Sequence, residues 1–294
     1  MKEAIHAENE RALETVSFYL NFISDTIKKE SIEKITGGEV TLRDYAYSAL
    51  MATACGLDPY ENPDDKLIFR KYLLPMVKGL STDEYEANLY YRNIKIPTES
   101  FGKWRLETRK YVPYEAFVYD DIEMRGDGRV LPRIGYFDRE FAYPAVLENG
   151  REWMTVTPNE INTMKKAINT AFGNTLTFGL GLGYYTYMVS EKDNVDTVTV
   201  IERDKDVISL FESKILPQFG NRHKVHVICA DAFDFADSEL KSGEYDHIFT
   251  DLWHDPSDGI ELYLKMKERE KLCPEAIFEY WIEKTIKIYL GENK

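Results

Sequence analysis

The feature that most constrains this chain is a regular alternation of strand patterns and helix-length segments that begins at Thr157. Short apolar runs predict strands over residues 176–179, 197–201, 225–229 and 245–250. Parallel strands need long crossover connections, and the intervening segments are long enough to be helices. The pattern therefore predicts an α/β fold, a Rossmann-like parallel sheet with helices on both faces.

A glycine-rich turn follows the first of these strands. Gly179, Gly181 and Gly183 alternate with leucines just before a predicted helix. Glycines at a strand-to-helix turn let the backbone approach a ligand closely, so these three are candidate cofactor-binding residues. The alternative is that they serve only to pack the helix on the strand. The spacing is not the GxGxxG of NAD-linked dehydrogenases, which disfavours that class.

Acidic residues follow the next two strands. Glu202 ends the second strand, 19 residues beyond Gly183, which suits a carboxylate that accepts hydrogen bonds from both ribose hydroxyls. Asp231, after the third strand, is placed to accept from the exocyclic amine of an adenine. The carboxyl ends of parallel strands meet where ligands bind in open α/β folds, so the set predicts a nucleoside site. Taken singly, each carboxylate has the alternative of being a solvated group at a strand end.

The fourth strand runs into the loop Asp251-Leu-Trp-His-Asp-Pro256 at the same edge of the sheet. Asp251 is the first candidate for a general base and His254 the second, because both lie in the loop that faces the predicted cofactor site. The alternative for His254 is a loop residue that caps a helix or meets solvent. Trp253 either walls off a substrate pocket or packs in the core.

Several stretches of the second half resemble a known family. Residues 177–183, Thr-Phe-Gly-Leu-Gly-Leu-Gly, resemble the first motif of class I S-adenosylmethionine-dependent methyltransferases. Residues 198–208 and 215–219 resemble the spermidine synthase branch of that superfamily, and Gly135-Tyr-Phe137 does so more loosely. The resemblance covers about residues 130–260 and none of residues 1–100.

The resemblance implies S-adenosylmethionine as the cofactor. By position, the three glycines would line its methionine and ribose, and Glu202 would hold the ribose. Asp231 and Ala232 would flank the adenine. Asp251 matches the catalytic-loop aspartate that helps aminopropyltransferases to deprotonate the attacking amine.

Departures from the spermidine synthase pattern bear on the reaction. Leu182 stands where that branch has an aspartate that contacts the aminopropyl amine. The Asp-x-x-Asp-Pro loop of the branch has one extra residue here, and its tyrosine–histidine signature is replaced by Thr157-Pro-Asn-Glu160. We therefore expect a methyltransferase that acts on a small, amine-bearing metabolite. The alternatives are an aminopropyltransferase or related alkyltransferase, and a non-catalytic protein that binds S-adenosyl nucleosides.

The chain before Thr157 divides into two segments of different character. Residues 1–100 are a predicted helical region, and residues 101–156 are a predicted β-hairpin region that forms a small antiparallel sheet. Residues 157–294 are the predicted cofactor-binding domain. The predicted helices of the first segment cover 2–29, 41–55, 64–79 and 81–94, and the predicted strands of the second cover 104–114, 116–125, 130–137, 141–147 and 152–156.

Little chain remains after the fourth predicted strand. Residues 258–271 and 274–290 both follow a helical pattern, and no fifth strand is predicted. The sheet would then be truncated on its C-terminal side, with an open edge that needs cover. The N-terminal helices, the hairpins or a second subunit in a homodimer are the candidates for that cover.

Charge and composition narrow the class of partner. The net charge is −14 and no block of Lys and Arg stands out, which argues against nucleic acid and favours a small-molecule substrate. The alternative is that the charge only keeps the protein soluble. No apolar run reaches the roughly 20 residues of a membrane span, and the charged N-terminus lacks the apolar centre of a secretory signal, so we expect a cytoplasmic protein. Cys55, Cys229 and Cys273 are too widely spaced to indicate a zinc site or a disulfide framework, and no metal is expected.

Overall fold

The computed structural model describes residues 2–241 and 243–291, without the side chain of Lys2. Met1, at the start of the predicted helical region, lies outside the described residues. So do Ser242 and residues 292–294 of the predicted cofactor-binding domain. Within the described part of the chain, no helix combines the length and the apolar character that crossing a membrane requires.

The described residues form short strands and helices throughout the chain. The strands are β1 (Val77–Leu80), β2 (Glu99–Phe101), β3 (Trp104–Tyr111), β4 (Phe117–Met124), β5 (Val130–Phe137), β6 (Phe141–Glu148), β7 (Arg151–Thr155), β8 (Gly173–Phe178), β9 (Val195–Glu202), β10 (Val225–Cys229), β11 (His247–Thr250) and β12 (Ile277–Tyr280). The α-helices are Lys2–Phe22, Lys29–Thr36, Arg43–Ala54, Pro63–Ile68, Leu74–Met76, Thr82–Glu86, Leu89–Asn93, Pro158–Thr163, Lys165–Thr170, Tyr184–Ser190, Lys205–Leu210, Ala232–Glu239, Pro256–Lys267 and Glu283–Tyr289. π-Helical turns cover Phe69–Leu73 and Phe211–Ile215, and 3-10 turns cover Val40–Leu42, Leu216–Gln218, Arg222–Lys224 and Glu270–Leu272.

The chain forms two compact units. The first unit combines Met1–Tyr85 with Lys110–Ala142, and the second combines Glu86–Arg109 with Tyr143–Lys294. Each unit draws on more than one of the three segments proposed from the sequence. The reason is that strands adjacent in sequence pair in different sheets: β4 and β5 belong to one sheet, whereas β3, β6 and β7 belong to another.

The first unit packs helices against a three-stranded sheet of order β1-β5-β4. β1 runs parallel to β5, and β4 runs antiparallel to it. The apolar stripe of the first helix is buried at Ala12, Val16 and Tyr19, which recur every three to four residues. Tyr47 and Tyr136 stack in the core with ring centroids 4.3 Å apart, so aromatic packing dominates this unit.

Two helices predicted in the N-terminal region differ in the structure. The end of the segment predicted as helix 64–79 is strand β1, because pairing with β5 outweighs the local helical pattern. The segment 81–94 forms two short helices instead of one. The second of them begins at Asn88, whose side chain accepts a hydrogen bond from the backbone N–H of Tyr90 at 2.9 Å.

The second unit is built on a five-stranded, wholly parallel sheet of order β10-β9-β8-β11-β12. This strand order, with helices flanking the sheet, confirms the predicted Rossmann-like α/β fold. Leu176, Val198 and Ile248 in the central strands are fully buried. Burial on both faces is typical of parallel strands, and in β8 it includes Thr175 and Thr177, which alternate with apolar residues.

The expectation of a truncated sheet is wrong. Residues 274–290 are not one helix: Ile277–Tyr280 is a fifth strand, β12, which pairs in parallel with β11 and covers its edge. The strand contains Glu279, which is buried and bound to Lys166 Nζ at 2.9 Å. A carboxylate inside a four-residue strand breaks the apolar run, and that is why the sequence pattern did not reveal it.

The register of the sheet aligns the carboxyl ends of its central strands. Phe178 at the end of β8 lies opposite Ile201 of β9 and Thr250 of β11, and Thr250 lies opposite Tyr280 of β12. The residues that follow these strands therefore meet at one edge of the sheet.

Candidate functional site

A cavity of about 710 Å³ opens in the second unit at the carboxyl ends of the parallel strands. Its volume lies within the range of small-molecule and cofactor sites. Most residues proposed from the sequence line it, namely Gly179, Gly181, Glu202, Asp231, Ala232, Asp251 and His254. The third glycine of the turn, Gly183, is not part of the lining.

The glycine turn is held tightly from two sides. Gly179 has a φ of 101°, and a Cβ there would lie 2.0 Å from the carbonyl oxygen of Asp251. Gly181 has a φ of 52°, and a Cβ there would lie 1.7 Å from Sδ of Met154 on β7. Gly183 begins the helix Tyr184–Ser190 in a left-handed conformation. The turn thus requires glycine for conformation and packing as well as for access to the cavity.

Glu202 braces the glycine turn. Its Oε2 accepts a hydrogen bond from the Leu180 N–H at 3.3 Å, and its Oε1 accepts one from the Asp204 N–H at 2.8 Å. Burial raises the pKa of this carboxyl, and the backbone donors only partly oppose that shift. Each carboxylate oxygen has two lone pairs, so Glu202 retains capacity to accept from a ligand in the cavity.

Asp231 caps the helix Ala232–Glu239. Its Oδ1 accepts from the backbone N–H groups of Phe233 and Asp234, at 2.8 and 3.2 Å. Ala232 is the first residue of that helix and is buried. The other carboxylate oxygen of Asp231 takes no part in the cap.

Asp251 presents a carboxyl to the cavity without a hydrogen-bond partner among residues 2–241 and 243–291. Its backbone is fixed, because its N–H donates to the Phe178 carbonyl at 2.9 Å. Burial, and then the nearby charge of Glu160, raise the pKa of Asp251 to about 8. Asp251 is half-buried and lines the cavity, so its carboxyl is accessible to a hydrogen-bond donor on a ligand.

Glu160 is a site residue that the sequence indicated only as part of Thr157-Pro-Asn-Glu160, the stretch that replaces the tyrosine–histidine signature. It completes the capping box with Thr157, whose backbone N–H it binds at 2.8 Å and whose hydroxyl it also binds. Burial raises the pKa of Glu160 as well. The only sequence signal was the motif Thr157-Pro-Asn-Glu160, which places this carboxyl just before the first strand of the parallel sheet.

His254 lies in the loop after β11, with its side chain 44% exposed. Its Nδ1 is 3.1 Å from Oδ2 of Asp258, and its ring meets that of Trp153 in a T-shaped contact with centroids 4.3 Å apart. Asp251 and His254, the two candidate catalytic residues, line the same cavity.

All four tryptophans of the chain line this one cavity. Trp104 and Trp153 meet edge to face, with ring centroids 5.6 Å apart. Trp281 donates its indole N–H to the Thr163 hydroxyl at 2.9 Å. Trp253 is buried against the cavity wall. From the sequence, Trp253 was expected either to wall off a substrate pocket or to pack in the core. In the structure it does both, because it is buried and also lines the cavity.

The charges of the lining are predominantly negative. Lys103 is already bound to Glu148 at 2.7 Å and to Asp204 at 3.3 Å. The lining carboxyl groups are Glu148, Glu152, Glu160, Glu202, Asp204, Asp231 and Asp251, against Lys103, Arg203 and His254 as basic groups. Such a lining favours a cationic ligand. Among the described residues, no group of His, Cys, Asp and Glu is arranged to hold a metal ion.

Comparisons with known proteins are limited to fold. No protein-family model matches the sequence. No curated protein sequence matches it either. Solved structures that match part of the chain include precorrin 8W decarboxylase from Methanobacterium thermoautotrophicum, with 18% identity and a TM-score of 0.30 over 40% of this chain and 58% of that one.

Two spermidine synthase structures are also among the matches. The enzyme from Thermotoga maritima has 16% identity and a TM-score of 0.35 over 48% of this chain and 53% of that one. A spermidine synthase in complex with the transition-state analogue AdoDATO matches at the same identity and TM-score, over 48% of this chain and 52% of that one. The chain thus spans a little over half the length of these structures, and its Rossmann-like class rests on the strand order of its own sheet.

Proposed function

We propose that the second unit binds S-adenosylmethionine and transfers its methyl group to the nitrogen of a small, amine-bearing metabolite. The observation that carries the proposal is the Asp251 carboxyl, which faces the cavity beside Glu160 without a hydrogen-bond partner in the described part of the chain. The raised pKa of this carboxyl indicates that its ionised form is unfavourable in the cavity until a ligand supplies a donor. A cationic ammonium group supplies both the donor and the opposite charge.

The lining of the cavity fits the cofactor. The glycine turn exposes backbone at the carboxyl end of β8, and Glu202 at the end of β9 keeps lone pairs for ribose hydroxyls. The excess of carboxyl groups suits the positive charge of a sulfonium, and tryptophan faces attract cations further. The position equivalent to an aminopropyl-binding aspartate, Leu182, is only 1% exposed and offers no carboxylate. This favours the intact cofactor over its decarboxylated form.

The roles of the protein groups follow from their positions. When bound, S-adenosylmethionine supplies an electrophilic methyl group. Asp251 holds the acceptor nitrogen, and the arriving ammonium charge lowers the pKa of this carboxyl because opposite charges favour the ionised form. Glu160 adds a second negative charge beside it. Holding the nucleophile in line with the methyl group is the main contribution expected of the protein, because the sulfonium is already reactive.

The proposal is tested with the Asp251→Asn variant and a panel of primary amines, by measuring the formation of S-adenosylhomocysteine. We expect turnover to fall by about 100-fold or more, because the orienting charge is lost, while the affinity for S-adenosylhomocysteine is kept. Asp196→Asn, an exposed change on β9 away from the cavity, is the control and keeps both properties. Wild-type turnover in Asp251→Asn would contradict the proposal. Tight binding of S-adenosylhomocysteine with no turnover of any amine would identify a non-catalytic nucleoside binder instead.

A further inference from the structure

We propose that His254 and Asp258 act as a dyad, in which Nε2 of His254 takes a proton from the ammonium group of the acceptor and Asp258 is the positioning residue. The identity of the acceptor rests on the function proposed above. The arrangement of the dyad is independent of that function, because it follows from hydrogen bonds between His254 and Asp258. Sequence analysis named His254 only as the second candidate base and gave Asp258 no role.

The Asp258 carboxylate gathers donors from the start of its own helix and from the loop before it. It accepts from the backbone N–H of His254 at 3.1 Å and from the backbone N–H of Asp255 at 3.1 Å. Its Oδ2 also lies 3.1 Å from Nδ1 of His254. An ionised carboxylate only accepts, so Nδ1 must carry the hydrogen. The lone pair of the neutral imidazole is then on Nε2.

A second contact fixes the plane of the imidazole. The Trp153 ring stands at 83° to it, with centroids 4.3 Å apart. The imidazole is thereby held by a hydrogen bond and by an edge-to-face contact with Trp153, which favours one orientation of its two nitrogens. Helix capping alone does not require this, because the backbone bonds to Asp258 would cap the helix without the imidazole.

Asp251 and His254 are assigned different roles, holding the acceptor nitrogen and accepting its proton, because their surroundings differ. Asp251 is half-buried beside Glu160, and its carboxyl has no hydrogen-bond partner among the described residues that could pass a proton on. His254 lines the cavity, and its side chain is 44% exposed. It can therefore accept a proton inside and release it outside.

The proton balance of the step is complete. An N–H bond of the acceptor ammonium breaks, and the proton moves to Nε2, giving an imidazolium whose Nδ1–H remains bound to Asp258. The freed lone pair on nitrogen forms the new N–C bond as the C–S bond of the donor breaks. The proton then leaves Nε2 for bulk water.

The first test is a nitrogen NMR spectrum of the full-length protein with ¹⁵N-labelled histidine, at a pH of about 8.5 where ordinary imidazoles are neutral. His254→Gln identifies the signal among the five histidines. We expect the Nδ1–H tautomer in the wild type. In Asp258→Asn the amide can donate to Nδ1, so we expect a shift to the Nε2–H tautomer. Asp255→Asn changes the neighbouring carboxylate without removing the imidazole partner, and keeps the Nδ1–H form. An Nε2–H tautomer in the wild type, or no change in Asp258→Asn, would overturn the dyad.

The second test separates the dyad from the proposed function. With an amine that turns over, we expect His254→Gln and Asp258→Asn each to lower kcat by about 100-fold, with the affinity for S-adenosylhomocysteine unchanged. His254→Gln leaves the backbone cap of the helix in place, so it remains informative if Asp258→Asn is poorly folded. Full kcat in His254→Gln would overturn the dyad while the proposed function stands. Absence of turnover in the wild type, with the expected tautomers, would contradict the proposed function alone.

Discussion

Asp251 is held in a position that suits ligand binding but is unfavourable for its ionised carboxyl in the ligand-free protein. Its backbone is locked to β8, yet its carboxyl faces a cavity beside Glu160 with no partner among the described residues. Groups with strongly shifted pKa values cluster at functional sites, because a bound ligand supplies the hydrogen bonds and charge that the ligand-free protein does not. The stability of the ligand-free protein is therefore a direct measure of how unfavourable this position is.

The Asp251→Asn variant should be more stable than the wild type in the absence of ligand. The carboxyl has an ordinary pKa of 3.8 and a pKa of about 8 in the folded protein. Between these values the folded state holds a proton that the unfolded state releases, so stability falls as pH rises. Asparagine does not titrate, so the difference in free energy of unfolding between the variant and the wild type should grow from pH 4 to pH 8 and then level off.

Urea denaturation across that pH range measures the effect, with Asp196→Asn as the control. A variant that is less stable than the wild type at pH 8, or an advantage that does not change with pH, would show that the carboxyl is not held in the way described.

Gly181 is the residue at which the glycine turn meets Met154. Gly181→Ala should destabilise the protein by the roughly 1–2 kcal/mol of a left-handed alanine plus a smaller cost of displacing the flexible Met154 side chain, whose Sδ the Cβ would overlap. Gly150→Ala is the matched control: its φ is also positive, at 81°, but no atom lies within 4 Å of the added Cβ.

Thermal unfolding of the two alanine variants and of the Gly181→Ala, Met154→Ala double variant separates conformation from contact. We expect Met154→Ala to recover the excess loss of stability in the double variant. Equal losses in Gly181→Ala and Gly150→Ala would exclude the contact with Met154 as the cause.

At the scale of elements, β11 contributes a buried histidine as well as the site loop. His247 is fully buried, with Nδ1 3.1 Å from the Tyr185 hydroxyl and Nε2 3.2 Å from the Thr170 hydroxyl. Burial, followed by the charges of Lys192 and Lys166, lowers the pKa of His247 to about 4. The strand thus depends on a neutral imidazole.

This arrangement should make the second unit sensitive to acid. The unfolded histidine binds a proton below its ordinary pKa of 6.5, whereas the folded one does so only near 4, so stability is lost as pH falls between these values. His247→Gln should reduce stability at pH 7 by about 1–3 kcal/mol through imperfect hydrogen bonding, and its deficit should narrow as pH falls. Tyr185→Phe keeps the titrating group and should keep the wild-type slope. Parallel curves for wild type and His247→Gln would refute this account.

The elements differ in how far their sequences predicted them. β8, β9, β10 and β11 were predicted because apolar and β-branched residues are concentrated in short segments between turns. β12 contains Glu279, which only the ion pair with Lys166 makes tolerable in a strand. β1 contains Lys78 and Gly79, and only its pairing with β5 makes it a strand.

The same distinction applies to the site. Glu202, Asp231 and Asp251 could be predicted to lie together because parallel strands end at one edge of their sheet, and the cavity lining includes all three. Glu160, Trp153 and Met154 come from segments before the sheet. Their approach to the cavity depends on tertiary packing that no local pattern encodes.

At the scale of the whole molecule, the distribution of tryptophan provides a reporter. Positions 104, 153, 253 and 281 all belong to the second unit and line its cavity, and the sequence of the first unit contains no tryptophan. The homodimer and the cytoplasmic location stay predictions, which sedimentation and localisation experiments on the full-length protein can test.

Ligand binding should change the intrinsic fluorescence of the full-length protein. We expect S-adenosylhomocysteine to alter tryptophan emission, and to raise the free energy of the unfolding transition seen by tryptophan by about 2.7 kcal/mol at a hundredfold excess over its Kd. Trp153→Phe should reduce the change in emission, because Trp153 is the tryptophan with the most exposed side chain among those at the cavity, at 37%. Unaltered emission at saturation would place the bound nucleoside elsewhere.

The central claim, that the cavity is an S-adenosyl cofactor site, is tested most directly by calorimetric titration of the full-length protein. The ligands are S-adenosylhomocysteine, methylthioadenosine and NAD. We expect saturable binding of S-adenosylhomocysteine with one site per chain, weaker binding of methylthioadenosine and no binding of NAD. Stronger binding of methylthioadenosine would point to aminopropyl chemistry. No heat with either adenosyl ligand would contradict the claim and leave the glycine turn as a device for packing a helix on a sheet.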